Sequence, residues 1–507
     1  MSFPRASGIL CHPTSLPSPF GIGDLGQGAH SFLQWLAGAG QSLWQVLPLG
    51  PTGYGDSPYQ GLSTFAGNPL LISPQDLVQD GLLRQTDLDD APSFPQQRVD
   101  FSAVAAFKLP LLRRSFERFE VGATPDQRDA LAEFRSRQCY WVEDYGLFMA
   151  LKEHFGDVSW QAWPRSVALR EPAAMAHYIN LLREETSFQV YVQWIFEEQW
   201  RRLKELALSL GIRLIGDIPI FVAEDSADVW GFPHLFKLDQ DNRPTVVAGV
   251  PPDAFSETGQ RWGNPHYCWD AMRNDGFRWW VERIRVLLAR VDIIRLDHFR
   301  GFEASWEIPS TERTAIQGQW APGPGKEFFE AIEGALGRLP IIAEDLGVIT
   351  PEVKALREHF GLPGMKVLQF AFEGDHSSEY LPHWYDRNYV VYPGTHDNNT
   401  VIGWFNEEQR GEVAKTHCLR YLGTDGSDLA WDFIRLAWSS VADQAVAALQ
   451  DVFSQGGDAR MNHPSTVGGN WTWRFLPELL TDRLRDRLRE LTELYSRQYA
   501  PSTIGVD

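Results

Sequence analysis

The sequence predicts an α/β barrel of alternating parallel strands and helices, and three observations lead there. Short apolar, β-branched runs lead four times into a carboxylate: Arg213-Leu-Ile-Gly-Asp217, Asp292-Ile-Ile-Arg295-Leu-Asp297, Pro340-Ile-Ile-Ala-Glu344, and Tyr389-Val-Val-Tyr392 followed by His396-Asp397. Such runs between helical segments read as strands buried on both faces, where an ionised acid is costly unless paired or used. Helical patterns alternate with them at the spacing of right-handed βα units. Acids at the carboxyl ends of several barrel strands point to one shared site.

In chain order, Gly8-Ile9-Leu10 is a short apolar start, Ala29 to Gly38 has a helical pattern, and Ser42 to Leu49 is a second strand-like run. The loop from Gly50 to Pro69 is rich in Gly, Pro, Tyr and Ser and follows a strand, where barrel enzymes carry function. From approximately 74 to 186 the segments are mostly helical, which predicts an inserted helical subdomain on a single catalytic barrel spanning 1–507. A long amphipathic helix over Phe188 to Leu210 stops at Gly211 before the Asp217 strand. Residues from approximately 221 to 275 read as an inserted substrate-loop region. Helices at Phe277 to Ala289, Gly325 to Leu336 and Pro351 to Phe360 precede the strands ending at Asp297 and Glu344 and the run Met365 to Phe372. The stretch from Glu407 to Tyr499 reads as mainly helical.

Composition limits the function classes. The 507 residues are 43% hydrophobic and 22% charged, an ordinary soluble globular balance, and 66 acidic against 46 basic residues leave a net charge of −20. That charge disfavours nucleic acid or an anionic membrane as partner and suits a neutral ligand better than a phosphate. Cys11, Cys139, Cys268 and Cys418 form no C-x-x-C pair, so reduced, buried thiols in a cytoplasmic protein are expected, and neither a secretory signal nor a membrane span is visible. Most of the 20 tryptophans are expected in the core, although flat rings also make platforms for sugar faces.

The motifs narrow the chemistry. Arg295 and Asp297 are two apart on a strand and so share a side. An arginine there lowers the acid's pKa and keeps it ionised as a nucleophile, the alternative being a structural ion pair. Glu344, beside apolar residues and Asp345, is expected to have the raised pKa of a general acid, rather than to cap the helix that starts near Thr350. The polar run Thr395-His396-Asp397-Asn398-Asn399-Thr400 suits hydrogen bonding to vicinal hydroxyls, or alternatively a polar turn. Three such acids match a retaining glycosidase, whose nucleophile and acid stand about 5 to 5.5 Å apart. Gly21-Ile22-Gly23-Asp24-Leu25-Gly26 lacks a nucleotide-binding unit around it and reads as a turn, and no H-E-x-x-H metal spacing occurs, although a carboxylate cluster can hold a hard cation.

The chain resembles the 4-α-glucanotransferases, or amylomaltases, of glycoside hydrolase family 77. The resemblance rests on Arg5-Ala-Ser-Gly-Ile-Leu10, Gly21 to Gly26, Asp56-Ser57-Pro58-Tyr59, Gly216-Asp217 through Trp230, Gly249-Val-Pro-Pro-Asp253, Thr258-Gly-Gln260-Arg-Trp262-Gly-Asn264, Arg295-Leu-Asp297-His-Phe-Arg-Gly301, Ala343-Glu344-Asp345-Leu-Gly347 and Gly394-Thr-His396-Asp397-Asn398. It implies a (β/α)8 barrel with inserted, mainly helical subdomains and no C-terminal β domain. It also implies Asp297 as nucleophile, Glu344 as general acid/base and Asp397 as transition-state stabiliser. Ser57, Tyr59, Asp217, Arg295 and His396 would belong to the donor pocket, Gln260 and Trp262 to the acceptor side, with no cofactor and no metal. Two departures stand out: Ala254 where the family has Tyr, and Ser465 where it has Gly.

The expected reaction moves an α-1,4-glucan segment from a donor maltooligosaccharide or starch chain to the 4-hydroxyl of an acceptor glucan or glucose. Trp262 and Phe255 are candidates for keeping water from the acceptor side. An α-1,4-glucan hydrolase using the same acids is the main rival, and a noncatalytic maltodextrin-binding protein is the rival of another class.

Overall fold

A computed structural model describes residues 3–252, 256–372, 377–408 and 410–498. Eight parallel strands form the central sheet: β1 (Ala6–Leu10), β2 (Leu43–Gln45), β3 (Arg213–Pro219), β4 (Ile293–Asp297), β5 (Ile341–Ala343), β6 (Gly364–Val367), β7 (Tyr389–Tyr392) and β8 (Gln444–Ala448). They pair in the order β6-β7-β8-β1-β2-β3-β4-β5. The two ends meet where the Ala343 amide donates to the Pro363 carbonyl at 2.9 Å, bringing the sheet close to a closed (β/α)8 barrel.

Two strands differ from the sequence reading. β8 lies inside the stretch expected to be mainly helical. Its sequence, Gln444-Ala-Val-Ala-Ala448, is alanine-rich, and alanine favours helix in isolation, but all five residues are buried between β7 and β1, where small side chains fit the interior. β6 is shorter than the run Met365 to Phe372, because residues Leu368–Phe372 wind into a 3-10 turn at the barrel mouth.

Residues 74 to 209 are helical in the main, with Phe101–Gly122, Pro125–Arg137, Val142–His154 and Arg183–Ser209 the longest pieces. The last begins five residues before the expected Phe188. It pins the loop after β2 through two glutamines. Gln193 accepts from the Gly67 amide at 2.7 Å and donates to its carbonyl at 3.0 Å, and Gln199 does the same to Ser73 at 2.7 and 3.1 Å. A second sheet was not foreseen. Its antiparallel strands run in the order Gln260–Pro265, Val246–Val250, Ala304–Pro309, Gln319–Pro322, joining the segment after β3 to the segment after β4. The inserts are therefore not helical alone.

Seven tryptophans, Trp44, Trp160, Trp200, Trp230, Trp279, Trp280 and Trp438, are less than 2% exposed, so core filling absorbs much of the aromatic excess. Of the four free cysteines, Cys11 and Cys418 are buried, whereas Cys139 is exposed and Cys268 half-buried, contrary to the expectation for all four. Among the described residues no helix is long and apolar enough to cross a membrane.

β1 and β2 approach closely because Gly8 pairs with Leu43. A methyl group on Gly8 would lie 2.3 Å from both the Leu43 carbonyl oxygen and its Cβ. Gly8→Ala is expected to cost about 1–3 kcal/mol of stability through overpacking, read as a lowered midpoint in urea unfolding.

Candidate active site

Strand register builds the centre of the site. β3 and β4 pair with Asp217 opposite Arg295 and Pro219 opposite Asp297, and β4 and β5 pair Leu296 with Ala343. One residue further on, Asp297 and Glu344 follow side by side on neighbouring strands about 4.8 Å apart. Immediately after Asp297, His298 takes the left-handed conformation at φ 52° and ψ 50°, a strain on the order of 1–2 kcal/mol for a residue with a Cβ. That turn brings the His298 amide to Glu344 Oε2 at 2.7 Å, while the Leu346 amide donates to Oε1 at 3.0 Å. The His298 nitrogen is bonded to the carbonyl carbon of Asp297. Covalent lengths then hold the two carboxyl groups within about 9 Å of each other, inside the range of glycosidase acid pairs.

Arg295 organises the acids from below. Its Nη1 donates to both oxygens of Asp217, at 2.8 and 2.7 Å, and lies 2.9 Å from Asp297 Oδ1. The side chains of Arg295 and Asp217 are 4% and 0% exposed, that of Asp297 26%, so the structural pair is dry and the outer acid opens to the cleft.

Burial pushes the Asp297 carboxyl up to about 6, with Arg295 drawing it down and Asp217 and Asp397 pushing it further up. The expectation that Arg295 lowers it holds in direction, but the effect is outweighed by desolvation. Burial and then the Asp297 charge push Glu344 up to about 8, against Arg295 and the two backbone donors. The neighbouring Asp345 is engaged elsewhere, accepting from the Met365 amide at 2.7 Å and facing Arg357 Nε at 3.4 Å. Near neutral pH, therefore, Asp297 is mainly an anion and Glu344 mainly an acid, the division of labour a double displacement requires.

Asp397 follows β7. Its Oδ2 lies 3.3 Å from His396 Nε2, and its Oδ1 accepts from Asn462 Nδ2 at 2.7 Å. Against burial, which acts to raise it, His396, Asn462 and Arg295 hold its carboxyl well below the usual range. Against its own burial, His396 is raised by Asp397. The His396 ring stacks on Tyr59 at 5.2 Å and 14°, and the Tyr59 hydroxyl donates to Asp217 Oδ2 at 2.7 Å. Ser57 Oγ accepts from the Tyr59 amide at 3.3 Å and so shapes the turn that presents this ring.

Gln260 and Trp262 stand two apart on the second sheet, and Trp262 Nε1 donates to Gln260 Oε1 at 3.1 Å. The Trp262 ring meets His298 edge-on at 4.9 Å, which ties this strand to the residue after Asp297. All ten residues selected from the sequence thus fall in one connected constellation. Ala254 and Phe255 lie outside the described residues. Ser465 keeps a left-handed turn at φ 64°, the conformation a glycine adopts without strain.

Three contributors were missed. Asn462 holds Asp397, Arg460 Nη2 donates to the Asp397 carbonyl at 2.7 Å, and Trp471 packs 5.8 Å from Tyr59 and 6.1 Å from His396. The only sequence signal was the Met461-Asn462-His463-Pro464 segment, noticed for the departure beside it rather than for its amide. Among the described residues no three His, Cys, Asp or Glu side chains are grouped to hold a metal ion.

The 4-alpha-glucanotransferase model of glycoside hydrolase family 77 matches residues 11–480. The chain belongs to that family. It is 50% identical over 505 residues to a 4-alpha-glucanotransferase of Thermus thermophilus, covering 98% of this chain and all of that one. It is 49% identical to the Synechocystis 4-alpha-glucanotransferase over 97% of this chain and 98% of the other. An amylomaltase from Streptococcus agalactiae in complex with acarbose superposes with a TM-score of 0.94 at 40% identity, covering 97% and 99% of the two chains. As a member of this family the protein is an enzyme acting on α-1,4-glucans by transfer, and the hydrolase reading is not favoured.

The raised Glu344 also bears on stability. Its ordinary value is 4.5 and its folded value about 8, so between these the folded chain binds more protons than the unfolded one and stability falls as pH rises. Glu344→Gln lacks that slope. Its melting temperature is expected to exceed the parent's by a margin that grows from pH 4.5 to pH 8, followed by calorimetry of both proteins across that range.

Proposed function

We propose that this family member is a retaining 4-α-glucanotransferase in which Asp297 attacks the anomeric carbon of the donor while Glu344 gives its proton to the departing 4-oxygen. The resulting glycosyl ester on Asp297 is released when Glu344, now a base, takes the proton of an acceptor 4-hydroxyl and that oxygen displaces the carboxylate. The observation that carries this reading is the geometry joining the two acids through one peptide unit: Glu344 accepts from the His298 amide beside Asp297, and burial raises Glu344 further than Asp297, which favours a protonated Glu344 beside an ionised Asp297.

Asp397, held ionised by His396 and Asn462, is suited to accept hydrogen bonds from ring hydroxyls as positive charge grows on the sugar. Ser57, Tyr59, Asp217, Arg295 and His396 form the donor pocket, and Gln260 and Trp262 the acceptor side, where an apolar ring favours a glucose face over water. Donors are maltooligosaccharides and starch-like chains, and acceptors are glucans or glucose, with no nucleic acid, membrane or cofactor. The 1–507 chain acts as one catalytic unit, with the 74–186 and 221–275 insertions shaping the cleft, and four unpaired thiols suit a cytoplasmic setting.

Incubation with maltotriose is expected to give glucose and a ladder of longer glucans at constant reducing-end number, and Asp297→Asn is expected to abolish it. A rising reducing-end count marks a hydrolase, and unchanged conversion by Glu344→Gln, in place of a loss on the order of 10²–10⁴, marks a noncatalytic binder. The pH profile of kcat/KM is expected to rise through about 6 as Asp297 ionises and to fall through about 8 as Glu344 loses its proton, with the upper limb removed in Glu344→Gln.

A further inference from the structure

Arg283 lies on the helix Arg278–Arg290, away from the acids, yet its side chain is among the largest that are fully buried. Its guanidinium spans three chain segments, with Nη1 donating to the Tyr267 hydroxyl at 3.4 Å. Nε donates to Thr64 Oγ1 at 2.5 Å, on the loop that carries Tyr59. Nη2 donates to the Pro219 carbonyl at 2.6 Å and Nη1 to the Ile220 carbonyl at 3.1 Å, at the end of the strand that carries Asp217. The indole of Trp280 lies 4.5 Å away and fixes the plane of the fork. Thr64 is gripped a second time, its amide donating to Asp228 Oδ2 at 2.8 Å.

The loop needs such ties. Beneath it lies a cavity with about 50 Å³ open to the centre of a water molecule, lined by Tyr59, Gly61, Thr64, Asp217, Phe221 and Arg283. Phe65 anchors the loop by packing on Trp141 and Trp279, but across the gap dispersion contacts are lost, so on the Tyr59 side polar bonds contribute to the height of the loop. Tyr59 and Asp217, both in the lining of this cavity, are joined by their hydrogen bond, which requires loop and strand end to be in register.

We propose that Arg283 is a positioning residue for the donor pocket, which seats the Gly50–Pro69 loop on the end of β3 and so delivers Tyr59 to Asp217. The inference rests on Tyr59 belonging to the donor pocket. Lysine at this position keeps one charge but loses the planar fork that reaches acceptors on Thr64, Pro219, Ile220 and Tyr267 at once.

The test is donor kinetics with maltotriose for Arg283→Lys, for Thr64→Val, which removes one acceptor and leaves the Asp228 bond, and for both in a Tyr59→Ala background. Arg283→Lys is expected to raise KM on the order of tenfold, and Thr64→Val about fivefold, with the pH limits of kcat/KM unmoved. In the Tyr59→Ala background both effects should largely vanish, because the group they position is gone. A fall in kcat at unchanged KM, or the full effect persisting without Tyr59, overturns the inference. A wild-type KM in Tyr59→Ala alone overturns the donor-pocket reading on which it rests. If Arg283→Lys does not fold, Thr64→Val and its pair with Tyr59→Ala decide the matter alone.

Discussion

One guanidinium nitrogen, Nη1 of Arg295, carries two carboxylates at the mouth of the barrel, and the site is arranged around that fact. Asp217 takes both of its oxygens to Arg295 in a nearly dry setting, so the two charges satisfy each other. Asp297 shares the same nitrogen from the wetter side. Without the arginine, Asp217 and Asp297 would be neighbouring anions that repel each other, a state that protonation or distortion would relieve. With it, Asp297 keeps an anionic carboxylate open to the cleft, where Asp397 is more exposed still.

The pair of acids depends equally on backbone. Neighbouring parallel strands offer their carboxyl ends at one level, but a strand alone does not fix a side chain against the charge beside it. The left-handed turn at His298 does so, by turning an amide onto Glu344 and holding that carboxyl beside Asp297 despite the repulsion an ionised pair would feel. Burial then favours the neutral form of one partner, and it is Glu344, without an arginine at hydrogen-bond distance, that keeps the proton. Strain in one residue and desolvation of another thus produce two carboxyl groups with opposite protonation preferences.

The outer parts of the site arrive on segments far apart in the chain. Tyr59 comes on a loop held by helix glutamines and by Arg283, Trp262 on a small antiparallel sheet, and Asn462 on a loop after the last strand. The barrel supplies a rigid rim, and each insertion lowers one wall onto it. This explains why the aromatic residues divide into two populations, seven indoles sealed in the core and a few rings gathered at the cleft.

Much of this was legible in the sequence, because a buried parallel strand demands an unbroken apolar run and an acid at its end stands out against that run. Asp217, Asp297, Glu344 and Asp397 announced themselves in this way, and the two-residue spacing of Arg295 and Asp297 fixed their common side. The family motifs added Tyr59, Ser57, Gln260, Trp262 and His396. What tertiary structure alone decided involves partners brought together across hundreds of residues or propensities overridden by burial. The alanine-rich β8 is a strand because its slot between β7 and β1 admits small side chains, not because its residues prefer extension. Asn462 and Arg283 matter through single hydrogen bonds to distant segments, which leave no periodicity to read. A raised Glu344 was expected from its apolar surroundings, but its causes, burial and then the Asp297 charge rather than Asp345, belong to the assembled interior.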